Sequence, residues 1–480
     1  MRLFSVIHII GFLMMFLAAA MLIPLPFSLY YGDDDTAALL ISAALTALFG
    51  FGLWMGTRAR FDRDLRPREG FAIVTLGWTV FSAFGCLPFI LSGAIPSFTN
   101  AFFETMSGFT TTGATILTNI EALPHGLLFW RSLTHWIGGM GIIVLSLAIL
   151  PFLGVGGMQL YKAELRSAAD RLTPRITETA KILWGVYVAF TALETVLLMF
   201  GGMNLFDALC HSFGTLATGG YSTRNASVGA YASAYIDFVI IFFMLVAGTN
   251  FSLHYRFLKG DFKAYFRNQE FLFFISLIGV ATLAILADTA FRYDSVGRAL
   301  RDTVFQVTAI LTTTGYGTAD YETWSFSSQF VLFILMFFGG CAGSTGGGIK
   351  MLRVQVLVKF VYTEILRLIH PRAVIPVRVG KQALEREVVA NIVGFFILFV
   401  LIFVIGVYIM TTMGLDMPTS FGAVAASLSN IGPGLGNVGP TDNYSQIPTT
   451  GKWVLSLLML MGRLELYTVL VLFSPSYWKK

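Results

Sequence analysis

The sequence predicts an all-α polytopic membrane protein whose helices enclose a pore, and three observations carry the prediction. Hydrophobic residues make up 56 % of the 480-residue chain and charged residues 12 %, with a mean hydropathy of +0.73, too apolar to hide in one core in water. Stretches of about 20 apolar residues, the length that crosses a bilayer as a helix, recur from end to end. Between them, four shorter runs each end in a small Thr/Asn-Gly cluster: Thr111-Thr112-Gly113-Ala114, Ala217-Thr218-Gly219-Gly220, Thr313-Thr314-Gly315-Tyr316-Gly317 and Asn430-Ile431-Gly432-Pro433-Gly434.

In chain order, spans are expected at 3–28, 36–57, 70–94, 127–153, 182–203, 233–255, 270–291, 325–349, 388–413 and 452–473, ten transmembrane helices in all. The runs near 98–110, 205–216, 299–311 and 418–430 are too short to cross and fit four re-entrant pore half-helices. Asn100, Asn204 and Ser420 lie near three of their starts, where N-caps belong. Span, half-helix, glycine strand and span thus repeat as pseudo-symmetric units at 70–160, 161–260, 261–385 and 386–480. Residues 1–69 form an accessory two-helix hairpin without a glycine cluster. The polar stretch at about 350–387 reads as a partly helical connector within the third unit, interrupted by Pro371, Pro376 and Gly380.

The 32 lysines and arginines sort by loop. Arg2, the arginines from Arg58 to Arg68, the basic residues of 162–181, 256–267 and 350–386, and Lys479 with Lys480 fall on one side. Only Arg131, Arg224, Arg292, Arg298, Arg301 and Lys452 fall on the other. By the positive-inside rule both termini are expected in the cytoplasm, with every glycine strand and the Asp33-Asp34-Asp35 loop outside. The run from Leu3 to about Leu25 exceeds a signal-peptide apolar region and is read as a retained helix, cleavage after Ala18-Ala19-Ala20 being the alternative. Cys86, Cys210 and Cys341 lie far apart in apolar or glycine-rich stretches, which fits packing residues better than disulfides or a metal cluster.

Non-helical backbone at membrane depth is tolerated only where protein buries it or a wet cavity borders it, so four glycine strands imply one shared cavity. Glycine lets successive carbonyl oxygens face a common axis, and a ring of carbonyls can replace the hydration shell of an alkali cation. Threonine hydroxyls add oxygens at the same surface. Half-helices aimed with their C-terminal ends at the axis add negative potential. Thr313-Thr314-Gly315-Tyr316-Gly317 closely matches the Thr-x-Gly-Tyr-Gly strand of potassium channels.

With all four clusters in order, the chain resembles the Trk/Ktr/HKT-type cation transporters over essentially its whole length, and its length and N-terminal hairpin are most similar to the TrkH branch. The resemblance implies a potassium-translocating membrane subunit of the cytoplasmic (inner) membrane, with K+ as the permeant ion. It also implies a homodimer regulated by a cytoplasmic nucleotide-binding ring of the TrkA type. Potassium binding is implied at Thr111, Thr112, Gly113, Ala114, Ala217, Thr218, Gly219, Gly220, Thr313, Thr314, Gly315, Tyr316, Gly317, Asn430, Ile431 and Gly432. Gly113, Gly219, Gly315 and Gly432 would be the central glycines. In related proteins a serine at the first of these accompanies sodium transport, so glycine at all four favours potassium. The fourth strand departs from the pattern, having Asn430-Ile431 where the others carry Thr111-Thr112, Ala217-Thr218 and Thr313-Thr314.

Two features are expected below the strands. Six glycines between Gly339 and Gly348, each costing about 1 kcal/mol in a helix, argue for a flexible intramembrane loop. It would gate the path through Gly343, Ser344, Thr345, Gly346, Gly347 and Gly348, a role the resemblance also implies; tight packing of small residues is the alternative. Arg463 lies roughly 15 Å into the last span and must face protein or water. It is expected to face the pore and set the gate, or else to pair with Glu465, Glu104 or Glu194. His135 and His211 read as satisfied core residues, because no second ligand stands at metal spacing. Asp320, Glu322 and Asp442 either concentrate cations at the mouth or are solvated loop charges.

Other function classes fit less well. No His-Glu-x-x-His pattern and no partnered serine supports an intramembrane enzyme. The near-Walker spacing at Gly343–Lys350 fails, since Ile349 separates glycine from lysine and no strand precedes it. No nucleotide site is therefore expected in this chain, and no nucleic-acid partner. The regulatory partner is expected on the basic face at 350–387. An ion-coupled secondary transporter of another cation or a small solute is the alternative function, although twofold repeats with a midplane site would be its usual mark.

Overall fold

The computed structural model describes residues 2–62, 65–148, 176–380 and 382–479. The end of the span expected at 127–153 and most of the basic stretch at 162–181 lie outside the described residues. The protein is an all-α polytopic membrane protein, with one small exception: in the connector, Arg378–Val379 pairs antiparallel with Gln382–Ala383 after the helix Met351–Ile369.

The N-terminal hairpin closes through small residues. A Cβ on Gly11 or Gly50 would stand within 3.0 Å of the opposite helix, so Leu3–Ala20 and Thr36–Thr57 approach as closely as backbones allow, the usual device where water drives no association. The hairpin's acidic turn caps a helix of the first unit. Asp33 Oδ2 accepts the His125 N–H at 2.6 Å and Asp35 Oδ2 the Leu127 N–H at 2.8 Å, satisfying orphan donors at the positive end of His125–Ala148.

Among the described residues, six helices are long and apolar enough to cross a membrane, or up to eight if each of two bent pairs is one span. Four of the ten expected spans are not single long apolar helices among the described residues. The span at 233–255 is Ala234–Ala247 and Phe251–Leu258, meeting at 102°, where the Asn250 side chain caps the new helix by accepting the Ser252 N–H at 2.8 Å. The span at 452–473 breaks by 117° after Arg463, with Glu465 in left-handed backbone at φ 59°. The span at 325–349 is helical only over Phe326–Leu335, after which the chain opens into the glycine-rich segment. His125–Ala148 is 24 residues long but carries Arg131 and His135.

The four half-helices are Phe98–Phe109, Leu205–Leu216, Val296–Leu311 and Met417–Leu428, and their C-terminal ends are buried. Asn204 caps the second as expected, its Oδ1 accepting the Asp207 N–H at 2.7 Å. Asn100 and Ser420 instead lie inside their helices, which begin after Ser97 and Asp416. The third begins at Val296, earlier than expected, because Ser295 accepts the Arg298 N–H.

Candidate functional site

At the end of each half-helix the backbone takes the same step. Thr111, Thr218, Thr313 and Asn430 all lie in the left-handed region, with φ of 50, 53, 61 and 56°. The next residue's N–H then bonds back into the half-helix: Thr112 to Ser107, Gly219 to Gly214, Thr314 to Ala309 and Ile431 to Ala426, each at 2.8 Å. Left-handed backbone is strained for threonine. Its recurrence at four places closes each half-helix and sends the chain off as an extended strand.

This register places Gly113, Gly220, Gly315 and Gly432 at one position, with φ of 84, 78, 74 and 98°. The central glycine of the second strand is therefore Gly220, and the expected Gly219 sits one residue early, level with Thr112, Thr314 and Ile431. A Cβ added at Gly113 would collide with the Gly219 carbonyl oxygen, at Gly220 with that of Thr314, at Gly315 with that of Ile431, and at Gly432 with that of Thr112, all inside 3.0 Å. The contacts run from first strand to second, third, fourth and back to first. The strands thus close a ring in which each glycine abuts the next strand's carbonyl, and both the positive φ and the close approach require glycine.

Buried struts hold the ring from behind. Arg131 pairs with Glu104 at 2.7 Å, both essentially inaccessible, and its guanidinium lies 3.4 Å over the Tyr221 ring. Glu104 also accepts from the Thr115 hydroxyl and the Ile116 N–H. The Tyr221 hydroxyl reaches the Glu104 carbonyl in the first half-helix, and the Tyr316 hydroxyl the His211 carbonyl in the second, at 2.7 and 2.9 Å. Each tyrosine follows the central glycine of one strand and bonds the preceding half-helix. Tyr221 and the Arg131–Glu104 pair were not singled out in the sequence; matching Gly220-Tyr221 to Gly315-Tyr316 would have found the first. In the fourth strand, Asn430 Nδ2 bridges to Thr112 Oγ1 at 3.0 Å and to the Met459 carbonyl at 2.9 Å.

The glycine-rich segment lies against the end of the ring where the strands leave their half-helices. It forms a loop closed at its base, where the Gly339 N–H meets the Ile349 carbonyl and the Ile349 N–H the Phe337 carbonyl, both at 3.0 Å. Gly347 N–H donates to Thr313 Oγ1 at 2.7 Å, and Thr345 Oγ1 donates to the carbonyls of Leu216 and Ala247 at 2.9 and 3.1 Å. Gly347 also packs on the Ser429 carbonyl. Ser344 donates to Cys341 O at 2.6 Å, Gly343 O accepts the Phe251 N–H at 3.1 Å, and Lys350 Nζ bonds Gly346 O. Gly343 and Gly348 have φ of 76 and 60°.

Arg463 is buried and joins this loop to the first unit. Its Nη1 donates to Thr345 O at 2.6 Å and its Nη2 to Gly138 O at 3.1 Å. The carboxylates weighed as partners are not ion-paired with it: Glu465 pairs with Arg353 and Glu104 with Arg131, and no ion pair of Glu194 is found among the described residues.

His211 is satisfied at both ring nitrogens, by Asp207 O at 2.7 Å and Ser222 Oγ at 2.9 Å. His135 stacks on Tyr221 with centroids 3.9 Å apart and fills the space beside Gly219. On the ring's other side lies a cavity of about 120 Å³, bordered by the four central glycines, Arg224 and Asp442. Asp320 and Glu322 do not border it. Glu322 Oε1 instead accepts the Gly436 N–H at 2.6 Å and clamps the loop after the fourth strand.

A family model for TrkH, a cation transport protein, matches residues 36–480. The chain is 42 % identical to the Trk system potassium uptake protein TrkH of Salmonella typhimurium over 99 % of both sequences. It is 41 % identical to the protein of the same name from Halomonas elongata over 100 % of both. Its fold matches the crystal structure of the potassium transporter TrkH from Vibrio parahaemolyticus with a TM-score of 0.92 at 38 % identity, over 100 % of each chain. The family model over 36–480 and the full-length relatives show that the chain belongs to the TrkH family, a family of membrane transport proteins rather than enzymes.

Proposed function

We propose that the chain carries potassium into the cell through one pore, selecting it at Thr111–Ala114, Ala217–Gly220, Thr313–Gly317 and Asn430–Gly432. The observation that carries this reading is the closed ring in which each central glycine abuts the next strand's carbonyl oxygen. Carbonyl oxygens held at fixed spacing replace water around an alkali cation, and the half-helices end at the ring, adding the negative ends of their dipoles.

The path is closed on the ring's inner side by Gly343–Gly348 and Arg463. Arg463 holds Thr345 in place through its carbonyl, and its positive charge opposes a cation in the same path. Four pseudo-symmetric units with eight crossings surround the pore, and the accessory hairpin adds two more, ten in all. Strands face outward, and the termini and the 350–387 connector face the cytoplasm. The chain works as a dimer, and a nucleotide-binding ring acts on it through that connector.

The test is cation flux into liposomes carrying the purified chain, comparing potassium, rubidium, sodium and lithium. Selective passage of potassium and rubidium is expected. Equal passage of all four would overturn the proposed filter.

A further inference from the structure

Glu270 stands in the first turn of Gln269–Thr289, only 1 % exposed, and no part of the site described above uses it. Its Oε1 accepts two backbone N–H groups, from Ala342 at 2.6 Å and from Leu352 at 3.0 Å. These two residues flank the glycine loop: Ala342 precedes Gly343, and Leu352 is the second residue of the helix that follows Lys350. One carboxylate therefore spans both limbs of the loop. Leu352 is also in the first turn of Met351–Ile369, where an N–H has no partner within the helix and a carboxylate is favoured by the dipole.

The preceding residue faces the other way. Gln269 Oε1 accepts the Gly380 N–H of the connector hairpin at 2.9 Å and the Lys359 ammonium at 3.2 Å. One turn of helix thus grips the connector through Gln269 and the loop through Glu270.

We propose that Glu270 is a positioning residue that staples the two limbs of the glycine loop and so holds the inner closure in place, with Gln269 tying the same turn to the connector. The proposal rests on reading the loop as the gate. A strain on the connector then reaches the loop through adjacent residues of one helix, without passing through the ring.

Two readouts separate the staple from the gate. Cys341, beside the stapled Ala342, is buried and outside any disulfide, so its rate of labelling by a small methanethiosulfonate reagent reports release of the loop without reference to transport. Basal rubidium flux of the chain alone reports opening. Hydrogen bonds to a charged acceptor are strong enough that losing two should change either rate about tenfold or more. Glu270→Ala is expected to raise both by that factor, while the potassium-to-sodium ratio stays as in the parent because the ring is untouched. Glu270→Gln keeps an acceptor oxygen and should stay within about threefold of the parent.

Unchanged Cys341 labelling in Glu270→Ala would overturn the staple. Faster labelling without faster flux would support the staple and overturn the loop as gate. Should the alanine variant fail to fold, Glu270→Asp withdraws the carboxylate by one methylene and must raise labelling of Cys341 but not of the buried Cys86 and Cys210; equal labelling of all three would overturn the proposal.

Discussion

Replacing Gly315 by alanine tests the ring at one contact. The residue has φ 74°, a conformation that costs an L-residue about 1–2 kcal/mol. The larger effect is geometric. The new Cβ would meet the Ile431 carbonyl oxygen, which must retreat by about 1 Å to restore the 3.0 Å that real Cβ atoms keep, and Pro433 Cδ at 2.7 Å blocks the neighbouring space. One of four carbonyls at this level is thereby displaced from the axis while the other three remain. Since 1.4 kcal/mol is a factor of ten, the potassium-to-sodium flux ratio in liposomes should fall at least tenfold. Gly279, exposed on Gln269–Thr289 and outside the ring, is the internal control: it has ordinary φ, and a Cβ there meets nothing within 4 Å. Gly279→Ala should leave the ratio within about twofold, because no atom need move. Equal effects of the two substitutions, or none from Gly315→Ala, would refute the ring as the source of selectivity.

Arg463→Gln removes the charge and at least one of two donors to Thr345 and Gly138, so partner-free flux should rise; Arg463→Lys keeps the charge without the fork and should fall between. Flux unchanged in both would remove Arg463 from the closure. Arg131→Ala leaves Glu104 buried without its counter-charge, a loss of about 3–5 kcal/mol, and should lower the thermal midpoint in detergent markedly; a midpoint within a degree or two of the parent would contradict the buried pair. Burial raises the Glu322 carboxyl above its ordinary 4.5, the Gly436 N–H lowers it, and Asp320 and Asp442 raise it further, leaving it raised. The folded protein then holds this proton more tightly than the unfolded chain, so the stabilisation is full below about pH 4.5 and fades as pH rises through the raised value. Glu322→Gln should flatten that part of the stability curve measured by thermal unfolding at stepped pH; an unaltered slope would count against it.

The glycine clusters were visible because non-helical residues inside apolar sequence are conspicuous, and the half-helices because their length is wrong for a bilayer. The register of the second strand was not visible in the same way. Gly219-Gly220 offers two candidates, and the choice is made by the left-handed step at Thr218 and the bond from Gly219 back to Gly214. Apolar counting also cannot see a bend: 233–255 and 452–473 are each apolar enough to read as one span, yet each turns by more than 100°. Arg463 was recognisable as a misplaced charge, but its partners are carbonyls of Thr345 and Gly138, and backbone acceptors leave no mark in a side-chain alphabet. Arg131 and Glu104 are 27 residues apart on different helices, and a pair leaves a mark in sequence only at the three- or four-residue spacing of one helix face.

The ring and the layer beneath it follow opposite rules. At the ring, four unlike sequences converge on one backbone, down to φ values within 11° at the left-handed step. Immediately inside, the four second helices diverge. His125–Ala148 runs on past Gly138, Ala234–Ala247 stops and turns at Gly248, Phe326–Leu335 dissolves into the glycine loop, and Thr449–Arg463 ends on a buried arginine and bends. Four identical subunits could supply the ring but not this layer, because each identical copy would bring its own loop and its own arginine to the axis. A single chain can place one loop there, hold it with one arginine from a second unit, and anchor it on a hydroxyl of its own unit and a carbonyl of a third. On the proposed reading, selection depends on equivalence among the units and closure on their difference, so substitutions that make the inner layer more alike should weaken closure while leaving the ring's preference intact.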